Sequence, residues 1–113
     1  MANWSPSTAG NAMAISGRTG TKYQFLIVPR TTTFNAKPGV FVMARAKGGE
    51  KYDFCFVGET ADLSKRPLSA EKQPCFNRFG VDHIFVLEEF NADKRKQVVR
   101  DIVEAHAPPC NAP

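Results

Sequence analysis

The sequence predicts an α+β fold with a small, mostly antiparallel sheet, a hairpin with added strands packed against helices. Three observations carry that expectation. Two apolar stretches flank Lys47-Gly48-Gly49-Glu50, and a Gly-Gly turn between such runs is a strong hairpin signal. His83 to Phe90 is apolar on both parities over its first half, as in a strand covered on both faces. Val98, Val99, Ile102, Val103 and Ala105 recur at helical spacing just before Pro108-Pro109. The order strand, hairpin, short helix, strand, long helix belongs to the α+β class.

Each element follows in turn. Residues 1–20 are rich in Ser, Gly, Ala, Asn and Thr and read as a flexible N-terminal tail, leaving 21–113 as a single domain. Tyr23 to Val28 is an apolar run halted by Pro29, hence a first strand. Residues 31–38 form a loop. Gly39 to Ala46 and Lys51 to Gly58 are the hairpin strands. Strict alternation puts Tyr52, Phe54 and Phe56 on one face of the second, with Asp53, Cys55 and Val57 on the other.

Thr60 is placed to cap a short helix with Asp62 in its first turn, and Pro67 ends it because proline lacks the amide proton. Residues 72–82 read as a structured loop. The long helix is capped by Asn91 or Asp93 and runs to about Ala107.

Composition bounds the function. A chain of 113 residues with 42% hydrophobic content and nine Phe supports one domain with a real core. A net charge of +4 is compatible with a phosphate-backbone partner, though common among proteins that bind none. Cys55, Cys75 and Cys110 are odd in number and form no CxxC pair, so no disulfide framework is expected and the reducing cytosol is the default. The first 20 residues lack the basic start and apolar core of a secretory signal. No stretch approaches the roughly 20 apolar residues of a membrane span. The expectation is a soluble cytoplasmic protein with no membrane partner.

One constellation is more specific. Gly39-Val40-Phe41 and Phe56-Val57-Gly58 stand at the two strand ends, followed by Asp62-Leu63-Ser64-Lys65-Arg66 and closed by Pro108-Pro109-Cys110-Asn111. Their order and spacing resemble the GIY-YIG nuclease domain over about residues 37–112. The strand near 23–28 is additional to that minimal pattern.

The resemblance implies a role for each matching position. In active relatives a tyrosine helps deprotonate the attacking water, a glutamate on the long helix binds a divalent metal, and an arginine steadies charge on the phosphate. Arg66 falls at the arginine's place and Asn111 at that of the terminal asparagine, so these are the retained candidates for a catalytic role. Phe41 and Phe56 replace both tyrosines, Val99 falls at the glutamate's place, and Ala70-Glu71-Lys72 stands where a histidine lies in some relatives. Arg100 and Asp101 sit about 100° and 200° around the helix from Val99, so neither simply replaces it. Losing one general base costs about 10²–10⁴-fold.

The implied function is therefore a degenerate nuclease-fold domain. It would lack phosphodiester cleavage and bind DNA or other nucleic acid weakly through a basic cleft holding Arg66 and Lys65. It needs no cofactor. Two alternatives stand beside it. An active endonuclease would need Mg²⁺ on relocated carboxylates such as Glu59, Asp101 or Glu104. A protein-interaction module would use an apolar patch or a sheet edge.

Several candidates have plainer readings. Phe41 and Phe56 are core aromatics unless they line a cleft and stack on a base. Arg66 contacts phosphate or pairs with Asp62. Asn111 satisfies backbone groups at the helix end or contacts substrate. Lys94, Arg95 and Lys96 are a solvated face or a phosphate-facing strip. Cys75, His83, His106 and Cys110 match no familiar zinc spacing, and neither Cys55 nor Cys75 has an evident activating base.

Overall fold

The hydrophobic runs become five strands of one antiparallel sheet, in the spatial order β1-β2-β5-β3-β4. The computed structural model describes residues 12–65 and 72–111. The strands are β1 (Ala12–Ser16), β2 (Lys22–Pro29), β3 (Gly39–Gly48), β4 (Lys51–Thr60) and β5 (His83–Glu88). Helix α1 is Gln73–Arg78 and α2 is Ala92–His106. Short 3-10 turns lie at Leu63–Lys65 and Pro109–Asn111. This is the expected α+β class. No helix among the described residues is long and apolar enough to cross a membrane.

The β3–β4 hairpin closes with Gly48 opposite Lys51, leaving Gly49 and Glu50 as a two-residue loop. Both have positive φ, 62° and 60°, as the tight turns that match strand twist require. β3 is buried continuously from Gly39 to Ala44 because it pairs on both sides and is covered on both faces. β5 is likewise internal.

Two cores sit on opposite faces of the sheet. On one, Val98 and Ile102 of α2 pack against Ile15, Phe25, Val42, Val57 and Phe85. On the other, Phe76 of α1, Leu63 and Cys110 pack with Phe41, Met43 and Ile84. Asn91 caps α2 by accepting from the Lys94 amide at 2.9 Å. Ala107, in the left-handed region with φ 45°, ends it before Pro108.

Four local expectations need correction. Ala12–Ser16, inside the segment read as a tail, is a strand paired with Lys22–Leu26, and its Ile15 is buried. Its apolar content is only Met13 and Ile15 among small residues, too sparse to stand out. Residues 73–78 within the expected loop form α1, with Pro74 in its first turn where no amide donor is missed. Asp62, not Thr60, caps the turn after β4 by accepting from the Ser64 amide at 2.9 Å. Thr60 bonds Asp62 instead.

The fourth concerns strand parity. Met43 faces Phe56 but Ala44 faces Phe54, so Cys55 is the extra residue of a β-bulge. Tyr52 and Phe54 therefore join Val57 on the α2 face, whereas Cys55 and Phe56 join the opposite core.

Candidate functional site

The residues of the two motifs do come together, but as packing. Phe41 lies opposite Gly58 in the register. Its ring stacks near that of Phe56, with centroids 5.9 Å apart, and Phe56 in turn meets Phe76 at 5.6 Å. Phe41 is 2% exposed. A Cβ on Gly58 would lie 2.5 Å from the Phe41 Cζ, so glycine there makes room for the ring. A Cβ on Gly39 would press on the Leu87 carbonyl at 2.6 Å, so that glycine lets β3 and β5 approach. The Lys72 ammonium covers the Phe56 ring at 5.4 Å and donates to the Cys110 carbonyl at 2.7 Å.

Asn111 sits on the free edge of β4. Its Oδ1 accepts from the Val57 amide at 2.8 Å and its Nδ2 donates to the Val57 carbonyl at 2.9 Å. One side chain thus satisfies an edge residue as a neighbouring strand would. Lys65 is exposed at the end of the Leu63–Lys65 turn. Arg66, and with it Pro67, lies outside the described residues. Val99 packs against the α2-face core, across the sheet from Phe41 and Phe56.

The relocated carboxylates are each engaged separately. Glu59 accepts from the buried Arg95 at 2.7 Å, and Arg95 also donates to the Glu89 and Phe90 carbonyls. Arg95 is thus a bolt between α2 and β4, while Lys94 and Lys96 are exposed. Glu104 pairs with Arg18 at 2.9 Å. Asp101 is buried and accepts from the Tyr23 hydroxyl at 2.7 Å, the Thr19 hydroxyl at 2.8 Å and the Thr19 amide at 3.0 Å. The Tyr23 bond, ahead of the Thr19 bonds, holds its carboxyl below the ordinary carboxylate range despite burial. Burial, then Asp101, pushes the Tyr23 phenol up. Among the described residues no cluster of three or more His, Cys, Asp or Glu could hold a metal ion.

The cysteines correct another expectation. Cys75 and Cys110 form a disulfide with Cα atoms 5.9 Å apart, spanning 35 residues. An odd count with no CxxC pair hid it, because spacing does not report spatial proximity. The bond also removes both thiols from any zinc set. Cys55 is free and buried, and burial, then Asp53, pushes its thiol up, away from nucleophilic use.

A groove of about 740 Å³ gathers side chains of both charge and aromatic character. Because β4 is an edge strand, the groove draws on both faces: Tyr52 and Phe54 from one, Phe79 at the end of α1 from the other. Arg45, Lys47, Lys51 and Arg78 line it against two carboxylates, Glu50 and Asp53. Arg45 and Lys47 share Asp53, at 3.1 and 3.4 Å.

The side chains of Lys51 and Arg78 have no hydrogen-bond or ion-pair partner among the described residues. Asp82 fixes the α1 wall, its amide donating to the Ala44 carbonyl and its carboxylate accepting from the Ala46 amide. His106 and Pro109 form the far wall, His106 edge-on to Phe54 at 5.2 Å and bonded to the Ser16 carbonyl at 2.8 Å.

The sequence reading missed this groove. Its only signals were the basic-aromatic pairs Lys51-Tyr52 and Arg78-Phe79, which are adjacent in sequence but far apart from each other. On β4 it draws on Lys51 to Cys55, toward the hairpin turn and from about 10 to about 23 Å from Gly58 at strand rise. Comparison of the chain with protein-family models, with curated proteins and with solved structures finds no match.

Proposed function

We propose that this chain is a non-cleaving, GIY-YIG-like domain that binds nucleic acid through the groove along β4. The observation that carries the reading is the meeting, in one groove, of Lys51 and Arg78, whose side chains have no partner among the described residues, with the aromatic side chains Tyr52, Phe54 and Phe79. Cations draw in the phosphate backbone, and partly exposed rings offer stacking surfaces to unpaired bases. Absence of cleavage follows from the side chains available. Phe41 and Phe56 cannot accept a proton, Val99 cannot bind a cation, and Glu59, Glu104 and Asp101 are engaged with Arg95, Arg18, Thr19 and Tyr23, while the groove's own Glu50 and Asp53 are not joined by a third ligand among the described residues.

Support for the lineage is the run of motifs in order with the Gly-Gly hairpin between them, and the close fit of Gly58 to Phe41. The binding cleft expected around Arg66 is replaced in this proposal by the groove at the other end of the hairpin.

Fluorescence anisotropy with labelled single-stranded and duplex oligonucleotides tests it. Affinity for the single strand should exceed that for the duplex and fall with salt. The double variant Lys51→Ala/Arg78→Ala should flatten the log-log salt slope by about 1.4, two phosphate contacts at roughly 0.7 each. No binding at low salt, or binding indifferent to these two residues, refutes the reading. Substrate cleavage in Mg²⁺ that EDTA stops would restore the enzyme alternative.

A further inference from the structure

We infer that the Cys75–Cys110 disulfide is a redox clasp that holds the C-terminal turn across the β4 edge, so that the groove binds tightly only when the bond is intact. The gating half rests on the nucleic-acid reading above; the clasp itself does not.

The two sides of the bond are anchored very differently. Helix α1 is secured without it. Arg30 donates to the Val81 carbonyl at 3.0 Å, to Gln73 at 2.9 Å and to Asn77 at 3.1 Å, and Phe76 is fully buried against the sheet. The turn Pro109–Asn111 has fewer polar ties among the described residues, although its Cys110 packs in the core that holds Phe76. Pro108 and Pro109 carry no amide proton to donate. Its polar anchors are the Asn111 pair with Val57 and the Lys72 contact to the Cys110 carbonyl.

The disulfide is thus the covalent tie that keeps this turn on β4. The turn also matters to the groove, because Pro109 lines one wall and Phe79, four residues after Cys75, lines the other. One bond spans the two walls.

Opening it needs a dithiol reductant. Its thiolate attacks the sulfur of Cys75, the more exposed partner, and the S–S bond breaks with Cys110 leaving as a thiolate that takes up a proton. The reductant's second thiol then displaces Cys75, closing its own disulfide. The protein gains two electrons and two protons, and the reductant loses them. Cys110 is then free to carry the turn, and Asn111 with it, off Val57.

Amide hydrogen exchange of the whole chain, with and without dithiothreitol, reads the clasp directly. The Val57 amide, whose acceptor is Asn111, should exchange about tenfold faster or more on reduction. The Val81 and Asp82 amides, bonded to Phe76 and Ala44, should keep their protection. Affinity for a labelled oligothymidylate should fall about tenfold on reduction as the pre-formed wall is lost. Cys75→Ser/Cys110→Ser should show the weak affinity with or without reductant.

Unchanged Val57 exchange overturns the clasp. Loss of protection throughout the chain does so too, since the bond would then be a general staple. Faster Val57 exchange with unchanged affinity overturns the gating. If the oxidised protein binds no oligonucleotide, the nucleic-acid reading and the gating fall together, and Val57 exchange alone decides the clasp.

Discussion

Asn111 completes β4 as a single residue of a missing strand, both its amide atoms meeting the backbone of Val57. Removing it strands an amide and a carbonyl at an edge partly closed to water by the C-terminal turn. Asn111→Ala should therefore cost about 1–3 kcal/mol. Asn111→Asp should cost at least as much, because it loses the donation to the Val57 carbonyl and sets a carboxylate against it. Urea unfolding checks this: the midpoint should fall while the slope stays constant. A shift within about 0.5 kcal/mol, the range of ordinary surface substitutions, contradicts the role.

The phenylalanine at position 41 cannot be turned back into a tyrosine without cost. Its Cζ lies 2.5 Å from the place a Gly58 Cβ would take and the residue is 2% exposed, so an added hydroxyl must be fitted into packed surroundings. Phe41→Tyr should destabilise by about 1–3 kcal/mol through overpacking. Gly58→Ala should do the same from the other side, and Phe41→Leu should relieve much of that loss. A double-mutant cycle measures the coupling, and additive effects would refute the fit. Phe56→Tyr is milder, since Phe56 is only half-buried. Neither tyrosine variant should cleave DNA in Mg²⁺, because Val99 lies on the other face of the sheet.

What the sequence made legible follows from what periodicity and turn chemistry encode. The hairpin, β5 and α2 are readable because apolar spacing and Gly or Pro punctuation are local signals, while the choice of Asn91 over Asp93 as cap comes from the structure. The bulge at Cys55 was not, because strict alternation fits the sequence equally well and only pairing with β3 breaks it. β1 escaped because Met13 and Ile15 gain meaning only beside β2. The same holds for the site. Asn111 stands out in the sequence through the family resemblance, but its partner Val57 lies 54 residues away. Arg95 reads as part of a basic surface run until Glu59 is brought to it.

Asp101 and Tyr23 form a staple between α2 and β2 that should fail at both ends of the pH scale. Asp101's carboxyl is depressed in the folded chain, chiefly by the Tyr23 bond. Its contribution is present above the unfolded carboxylate value, about 4, and is lost as pH falls through the lower folded value. The Tyr23 phenol is raised, by burial and then by Asp101. Its contribution is full below about 10 and is lost as pH rises through the higher folded value. Thermal melts across pH should show both limbs. Asp101→Asn should flatten the acid limb, and Tyr23→Phe should remove the alkaline limb and weaken the acid one; limbs unchanged in these variants would assign them to other groups.

Glu50 holds a conformation that its side chain disfavours. With φ at 60° it is the second residue of the two-residue β3–β4 loop, and its side chain is exposed and unbonded among the described residues. An L-residue in the left-handed region is penalised by roughly 1–2 kcal/mol through the contact of Cβ with the carbonyl. Glycine removes that contact at the expense of a more flexible unfolded chain, so the net gain should be nearer 1 kcal/mol. Glu50→Gly should therefore raise the melting temperature, by about 4–8 °C per kcal/mol in a domain of this size. Glu50→Asn should give part of the same gain, since asparagine tolerates this region. Glu50→Val should lower the melting temperature, because a β-branched side chain is least tolerant of positive φ. The same three substitutions should leave the Val57 amide equally protected, because the loop and the C-terminal turn contact different ends of β4. Equal melting temperatures across the three would mean that the loop relaxes freely and that φ at position 50 carries no strain.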